Sequence, residues 1–350
     1  MGNTRKVLKV AVPPGIGDSL WSMVKIQSIM KQGNYDLCTV AIKDTILNRG
    51  REFLLHFDFI NEVTYEDFPI FPIGSEFTGF AARGYTMLGG GQARRSKKMQ
   101  PDFVAETGEY IYIDSCEDFL DKYNWLLIAN GHLERGHRIE TWLPQFDTNL
   151  DIGINNFQFT DSEHRIAKVT HQKMLNDQPF VVFYLGPKFG NTWNGHNRNS
   201  LWTFNDWYNT SILMRNHNPE LLFVIIGAQY DADYAEEFLQ HIGAEGRQHF
   251  VNLVGTTEIG VTFSLIKRSK FILSYQSGIG IFSTYLGVPT ACFWRPYGNS
   301  ISQDFFLSVR EEMSTAWAPQ WAIDSNYLPL IYTKCSPESI VSACINRQWI

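Results

Sequence analysis

Cysteine is sparse and scattered in this chain. Cys38, Cys116, Cys292, Cys335 and Cys344 form no Cys-x-x-Cys pair. That spacing argues against a structural zinc site or a disulfide scaffold and suits a reducing compartment, so a cytoplasmic location is expected. Long apolar runs are missing too. No stretch reaches the roughly 18 uninterrupted apolar residues of a membrane span, and no stable membrane insertion is expected. The opening MGNTRKVLKVAVPPG carries only a short apolar run before Pro13-Pro14, which reads as a first strand and not as a signal peptide. Met1-Gly2 begins like a myristoylation site, but Lys6 stands where Ser or Thr is required. Basic residues are outnumbered, 30 Lys and Arg against 36 Asp and Glu, for a net charge of −6. Any contact with nucleic acid or an anionic membrane would therefore need a local basic patch. His132 and His137 lack the His-Glu-x-x-His pattern, and no metal site is expected. Short-period repeats and low-complexity tracts are absent.

The chain does contain the material for two cores. Its 350 residues are 44% hydrophobic and 14% aromatic, with 19% charged, which fits two globular domains better than one. Val7–Val12, Leu37–Ile42 and Ile60–Tyr65 read as strands. Between the first two, Leu20, Met23, Val24, Ile26 and Met30 recur at helical spacing, and Asp18 or Ser19 would cap that helix. Thr45–His56 reads as a second helix. The first third is thus β-α-β-α-β, the opening of a doubly wound sheet.

From Pro69 to Lys98 the pattern dissolves into a glycine-punctuated excursion that ends in Arg94, Arg95, Lys97 and Lys98. Long loops of this kind are mobile or functional; an arm that recognises an anionic acceptor is the functional reading. Tyr110–Ile113 and Trp125–Asn130 are expected strands. A new alternation begins near residues 160–178. Thr160–Leu175, Thr203–Asn216, Tyr230–Ile242 and Thr257–Ile266 read as helices, the last capped by Thr256 or Thr257. Phe180–Leu185, Leu221–Ile226 and Phe250–Leu253 read as strands, and Ser336–Asn346 as a C-terminal helix. The domains expected are 1–165 with an irregular 66–105 insertion, 166–335 as a second sheet of about five strands, and 336–350.

The stretch SKFILSYQSGIGIFSTYLGVPTACFW, Ser269 to Trp294, is a strand-turn-helix-turn-strand unit whose parallel strands need the helical crossover. Gln276, Ser277, Gly278, Ile279 and Gly280 place small residues at the helix N-terminus. There, unpaired N–H groups and the helix dipole make a ready anion site, and a side chain at Gly278 would obstruct close approach. The plainer reading is a helix that starts at glycine because the turn needs positive φ.

Four segments together resemble the heptosyltransferases, glycosyltransferase family 9. VLKVAVPPGIGDSLWSMVKIQSI looks like the family's opening strand, Gly-x-Gly-Asp turn and helix. VVFYLGPKFGNTWNGHNRNSLWTFNDW looks like its strand, Gly/Pro loop, basic residue and Trp. FVIIGAQYDADYAEEF is similar to its strand-Gly-acidic helix segment. LVGTTEIGVTFSLIKRSKFILSYQSGIGIFSTYLGVPTACFW is similar to its Gly-Thr-Thr helix, SGxxH turn and Gly-x-Pro-Thr strand. The resemblance covers most of residues 178–295 and the first 30, and nothing of roughly 66–160. It implies an α/β protein of two Rossmann-like, doubly wound domains facing across a cleft, the GT-B fold. It also implies transfer of a sugar from a nucleotide-diphosphate donor to an acceptor hydroxyl, inverting and metal-independent. No cofactor is expected, the nucleotide sugar being a co-substrate.

By the same resemblance Asp18 is the general base, and its alternative is the helix cap alone. The donor-binding set would be Gly186, Lys188, Arg198, Asp231, Thr256, Gln276, Ser277, Gly278, Ile279 and Gly280. Lys188, Arg198 and the backbone donors of the turn would meet the negative charge of the departing diphosphate. Asp231 matches the family's acid on the nucleotide ribose; its alternative is an acid favoured by the helix dipole. Gly15 and Gly17 of the first turn, with Arg94 and Arg95 at the basic end of the unmatched excursion, are expected on the acceptor side. Two departures stand out: Gln276 replaces the family's Asp, and Ile281 its His. They leave the donor sugar open, and the unmatched middle leaves the acceptor open between a glycan and DNA, including a phage-type enzyme acting on a hydroxylated base. A sugar-nucleotide epimerase and a non-catalytic nucleotide-sugar binder are the other readings. A nicotinamide dehydrogenase is disfavoured because Gly15-x-Gly17 has no third glycine.

Overall fold

The computed structural model describes residues 6–12, 34–42, 50–65, 156–186, 202–275, 277–294, 325–331 and 335–350, the backbone of 104–107, 110–113, 192–193 and 196–197, and separate positions within 16–30 and at 322. The chain divides into two compact units. The described residues of the first lie within Met1–Gln158, and those of the second within Phe159–Pro296 and Ala318–Ile350. The boundary therefore precedes the helix that the sequence split at residue 165, and the C-terminal helix belongs to the second unit.

In the first unit β1 (Val7–Val12), β2 (Leu37–Ile42), β3 (Ile60–Tyr65), β4 (Val104–Thr107) and β5 (Tyr110–Ile113) form one sheet in the order β3-β2-β1-β5-β4. All neighbours are parallel except the β4–β5 pair. β4 was not expected from the sequence. Cys38 to Ile42 on β2 are all buried, as befits a strand covered on both faces, whereas β3 at the edge buries Ile60 and Val63 and exposes Asn61 and Glu62. Ser19, Leu20, Met23, Ile26, Gln27 and Met30 are helical, and all but Gln27 are buried. This is the face that the helical spacing predicts. Of the expected second helix, α1 (Gly50–Leu54) is described. Trp125–Asn130, the 66–103 excursion, Asp18, Gly15, Gly17, Arg94 and Arg95 lie outside the described residues.

The second unit opens with α2 (Asp161–Leu175), where Thr160 and Glu163 make a reciprocal capping box. Then follow β6 (Phe180–Tyr184), two two-residue strands β7 (Thr192–Trp193) and β8 (His196–Asn197), α3 (Phe204–His217) and β9 (Leu222–Ile225). After them come α4 (Ala232–His241), α5 (Gly243–Arg247), β10 (Phe250–Asn252), α6 (Ile259–Ile266), β11 (Ile272–Tyr275), α7 (Gly278–Tyr285), β12 (Thr290–Trp294), β13 (Tyr327–Ile331) and α8 (Pro337–Asn346). The sheet runs β10-β9-β6-β11-β12-β13, with every neighbouring pair parallel. Numbered within this unit the order is 3-2-1-4-5-6, that of dinucleotide-binding sheets. The sixth strand, Tyr327–Ile331, was missed in the sequence; its interior Pro329 fits this last position in the sheet order.

Two helix expectations are corrected. Tyr230–Ile242 is not one helix throughout: a single 3-10 turn over Gln229–Asp231 leads into α4, which ends at His241; Ile242 separates it from α5, whose first residue Gly243 has φ +69°. Neither Thr256 nor Thr257 caps α6. Glu258 holds the cap position without a side-chain bond, while Thr256 Oγ1 donates to the Leu253 carbonyl and Thr257 Oγ1 pairs with Thr262 Oγ1.

Candidate nucleotide site at the switch point of the second sheet

Strand order reverses between β6 and β11, and ligands of open α/β sheets bind at the carboxyl ends beside such a reversal. Ile272, Leu273 and Ser274 lie beside Val182, Phe183 and Tyr184. The residues that follow these strands, Leu185-Gly186 and Ser277-Gly278, therefore emerge side by side.

Gly186 has φ +102°, and a Cβ there would lie 2.8 Å from Tyr275 Cδ2. Backbone conformation and packing both demand glycine at this position. The loop is pressed onto the Tyr275 ring, and Tyr275 rests in turn on an aromatic slab. Its ring centroid is 5.4 Å from Phe293 and 5.8 Å from Trp207, with Trp202 4.5 Å from Phe293 and Phe183 5.0 Å from Trp207. Five large rings from β6, β11, β12, α3 and its N-terminal approach thus form a stiff floor, each burying some 150–250 Å².

Beside it α7 begins. Ser277 is the N-cap, and its Oγ accepts the Gly280 N–H at 3.1 Å. No acceptor among the described residues takes the N–H of Gly278 or Ile279, the first two helical positions, and both residues are half-buried. Ser274 Oγ donates to the Tyr275 carbonyl at 2.6 Å and lies 3.4 Å from Ser277 Oγ. Ser277 Oγ thus accepts from the helix, and its own proton has only the long, 3.4 Å contact to Ser274 Oγ, from which it can turn to a ligand. Gly280 has a different reason to be glycine: a Cβ would lie 2.5 Å from Ser274 Oγ and 3.4 Å from the Tyr275 carbonyl oxygen. Its small size lets α7 close onto β11, and its N–H belongs to Ser277. Of the donors expected here, Gly280 is therefore a packing residue, and Gly278, Ile279 and Ser277 are left facing the crevice end of the strands.

Solved structures share this architecture. An E. coli ADP-heptose lipopolysaccharide heptosyltransferase II matches with TM-score 0.53 at 14% identity, over 98% of each chain. A glycosyl transferase family 9 protein from Veillonella parvula matches with TM-score 0.57 at 11% identity, over 99% of this chain and 98% of that one. An E. coli heptosyltransferase solved with ADP matches with TM-score 0.51 at 11% identity, over 98% and 99%. The chain shares their fold. No family model matches the sequence, and no curated protein does. The resemblance seen in the four sequence segments thus holds for the architecture that those heptosyltransferases have, two Rossmann-type units in one chain.

The other expected donor residues are placed as follows. Asp231 is 4% exposed; its Oδ2 accepts the Ala228 N–H at 2.9 Å, and Gly227 has no room for a Cβ, which would fall 2.9 Å from that same oxygen. The carboxylate expected on a ribose is instead folded back onto its own loop. Gly255, at φ +70°, donates its N–H to the Gly227 carbonyl at 2.9 Å, so the loops after β9 and β10 are laced together. Thr256 beside it is exposed. Lys188, Arg198 and Gln276 lie outside the described residues. Ile281, where the family has His, is buried at 4% exposure and serves the core. Sequence reading missed Ser274 and Tyr275, which seemed to be plain strand residues; their importance comes from what lies above them in space.

Proposed function

We propose that the protein is a glycosyltransferase that moves a sugar from a nucleoside diphosphate to an acceptor hydroxyl. The observation that carries this reading is the convergence, at the switch point of a 3-2-1-4-5-6 sheet, of the Gly186 loop with the α7 N-terminus and its open donors at Ser277, Gly278 and Ile279. Dipole and N–H groups favour an anion there. One solved protein of this fold, an E. coli heptosyltransferase, was captured with ADP, which agrees with a nucleoside diphosphate as the ligand.

In the proposed reaction, Asp18 takes the proton of the acceptor hydroxyl, and that oxygen attacks the anomeric carbon. The bond from this carbon to the diphosphate breaks, and its electron pair leaves with the phosphate oxygen. Displacement in one step inverts the anomeric centre. The developing charge is met by the Gly278 and Ile279 amides and the Ser277 hydroxyl, with Lys188 and Arg198 as the cationic partners, so no metal is needed. The absence of an acid at Gln276 and of a His at Ile281 supports a donor sugar other than heptose.

The test is a binding screen by thermal shift with nucleoside diphosphates and their sugars. A binder raises stability by about 2.7 kcal/mol at a hundredfold excess over its dissociation constant. A chain that answers to none of them is not a transferase of this kind.

A further inference from the structure

The diphosphate reading leaves open what holds the nucleoside, and this inference rests on that reading. In dinucleotide-binding sheets an acid beyond the first βα turn takes the ribose hydroxyls. Here the acid near that position is Asp231, and it is turned inward. The residue before it is turned outward: Tyr230 is 37% exposed, on the same 3-10 turn just beyond the carboxyl end of β9.

The turn that carries Tyr230 is held from both sides. Asp231 N–H donates to the Ala228 carbonyl at 2.9 Å, and Ala228 N–H returns a bond to Asp231 Oδ2 at 2.9 Å. Gly255 N–H fixes the Gly227 carbonyl, and the Gln229 side chain lies where a Gly255 Cβ would be. Burying a carboxylate is costly without partners. Here the carboxylate makes the turn rigid and so fixes where the tyrosine stands. β9 is two strands from β11, about 10 Å along the sheet edge at the usual strand spacing. A nucleotide anchored by its diphosphate at α7 carries the ribose between phosphates and base, so its base falls one or two strands away, which on this side of β11 is β6 or β9.

We infer that Tyr230 is the stacking platform for the nucleobase of the donor, and that Asp231 acts through the turn as a positioning residue and does not grip the ribose. An aromatic face accepts any base plane, so this contact supplies affinity more than base selectivity.

The experiment measures the affinity of the full chain for ADP, GDP, UDP and CDP, and for inorganic pyrophosphate, in the native protein and in Tyr230→Ala and Tyr230→Phe, with circular dichroism melts as the check on folding. The expected result is a roughly tenfold loss of the preferred nucleoside diphosphate in Tyr230→Ala, within the range of base–aromatic stacking. Pyrophosphate affinity stays unchanged, and Tyr230→Phe behaves like the native chain. Native-like nucleotide affinity in Tyr230→Ala overturns the inference. So does an equal loss of nucleotide and pyrophosphate, which means that the turn itself was disturbed. A Tyr230→Phe variant as weak as Tyr230→Ala overturns stacking in favour of a hydroxyl contact. If the native chain binds neither pyrophosphate nor any nucleoside diphosphate, the transferase reading fails first and the inference falls with it.

Discussion

The two sheets begin alike and then diverge. Each sets its first three strands in the order 3-2-1, all parallel. Beyond the first strand, the described part of the N-terminal sheet adds β5 and then its antiparallel partner β4. The C-terminal sheet adds three parallel strands and completes both βαβ halves. A second parallel half supplies a second helix N-terminus at the reversal, here that of α7, and with it the donors that suit a diphosphate. A hairpin supplies no such helix. The comparison teaches that one topology can open both units while, among the described residues, only the continuation of the second sheet sets a helix start beside the reversal; in the proposed reaction the acceptor and Asp18 then fall to the first unit.

The sharpest way to break this division is Asp18→Ala. If the first unit supplies the base, turnover drops about 10²–10⁴-fold while nucleoside diphosphate affinity is kept; equal loss of both would move Asp18 to the donor side. Next in size is Trp207→Ala, which empties the aromatic slab under the second unit's site. It costs about 3–5 kcal/mol in denaturant unfolding. A change near zero would show that the slab is not what stiffens the crevice. Gly186→Ala places a side chain at φ +102° against Tyr275, for a loss of about 1–3 kcal/mol and weaker donor binding. Ser277→Ala removes the α7 cap at about 1 kcal/mol. It should also raise the Kd for pyrophosphate, which sets it apart from a cap substitution at Thr160 on α2, where only stability should move.

A last effect appears only at alkaline pH and concerns the buried thiols, one or more in each unit. Burial pushes Cys38 in the first and Cys344 in the second up to about 12, against an unperturbed 9.0. Both stay protonated and unlabelled by iodoacetamide at pH 8 in the native chain. Because the folded pKa is raised, the unfolded chain gives up these protons first. Stability is then intact below about pH 9 and declines from there toward pH 12 as the unfolded thiols ionise. Labelling at one cysteine before the other in mild denaturant would report which unit opens first.

Much of this architecture was readable in the chain itself, for identifiable reasons. Helix starts are encoded within a few residues, as at Thr160 with Glu163 and Thr203 with Asp206, because a cap needs only a side chain and an N–H three positions on. Parallel strands buried on both faces show as unbroken apolar runs, as in Phe180–Tyr184. The Ser277–Gly280 turn was legible because small residues before an apolar helix have few other uses. What failed were assignments that depend on surroundings. Asp231 opens an acidic helix that suits either a ribose or its own loop, and the Ala228 N–H beside a Gly227 without a side chain is what draws the carboxylate back. Thr256 and Thr257 precede a helix without capping it, because their hydroxyls take the Leu253 carbonyl in the loop and the Thr262 side chain on α6 instead.

Sequence by itself determined the alternation of strands and helices, the caps and the glycine turns, since these arise from sterics and hydrogen bonds within a few residues of one another. Tertiary structure alone decided that β6 lies against β11, and so that Gly186 meets Tyr275 and the start of α7. It also made Gly280 a packing requirement of Ser274 and tied the loop before Asp231 to Gly255, 28 residues on from Gly227. The physical reason is that strand neighbours are chosen by the burial of apolar faces far apart along the chain, a choice that no local stretch of residues contains.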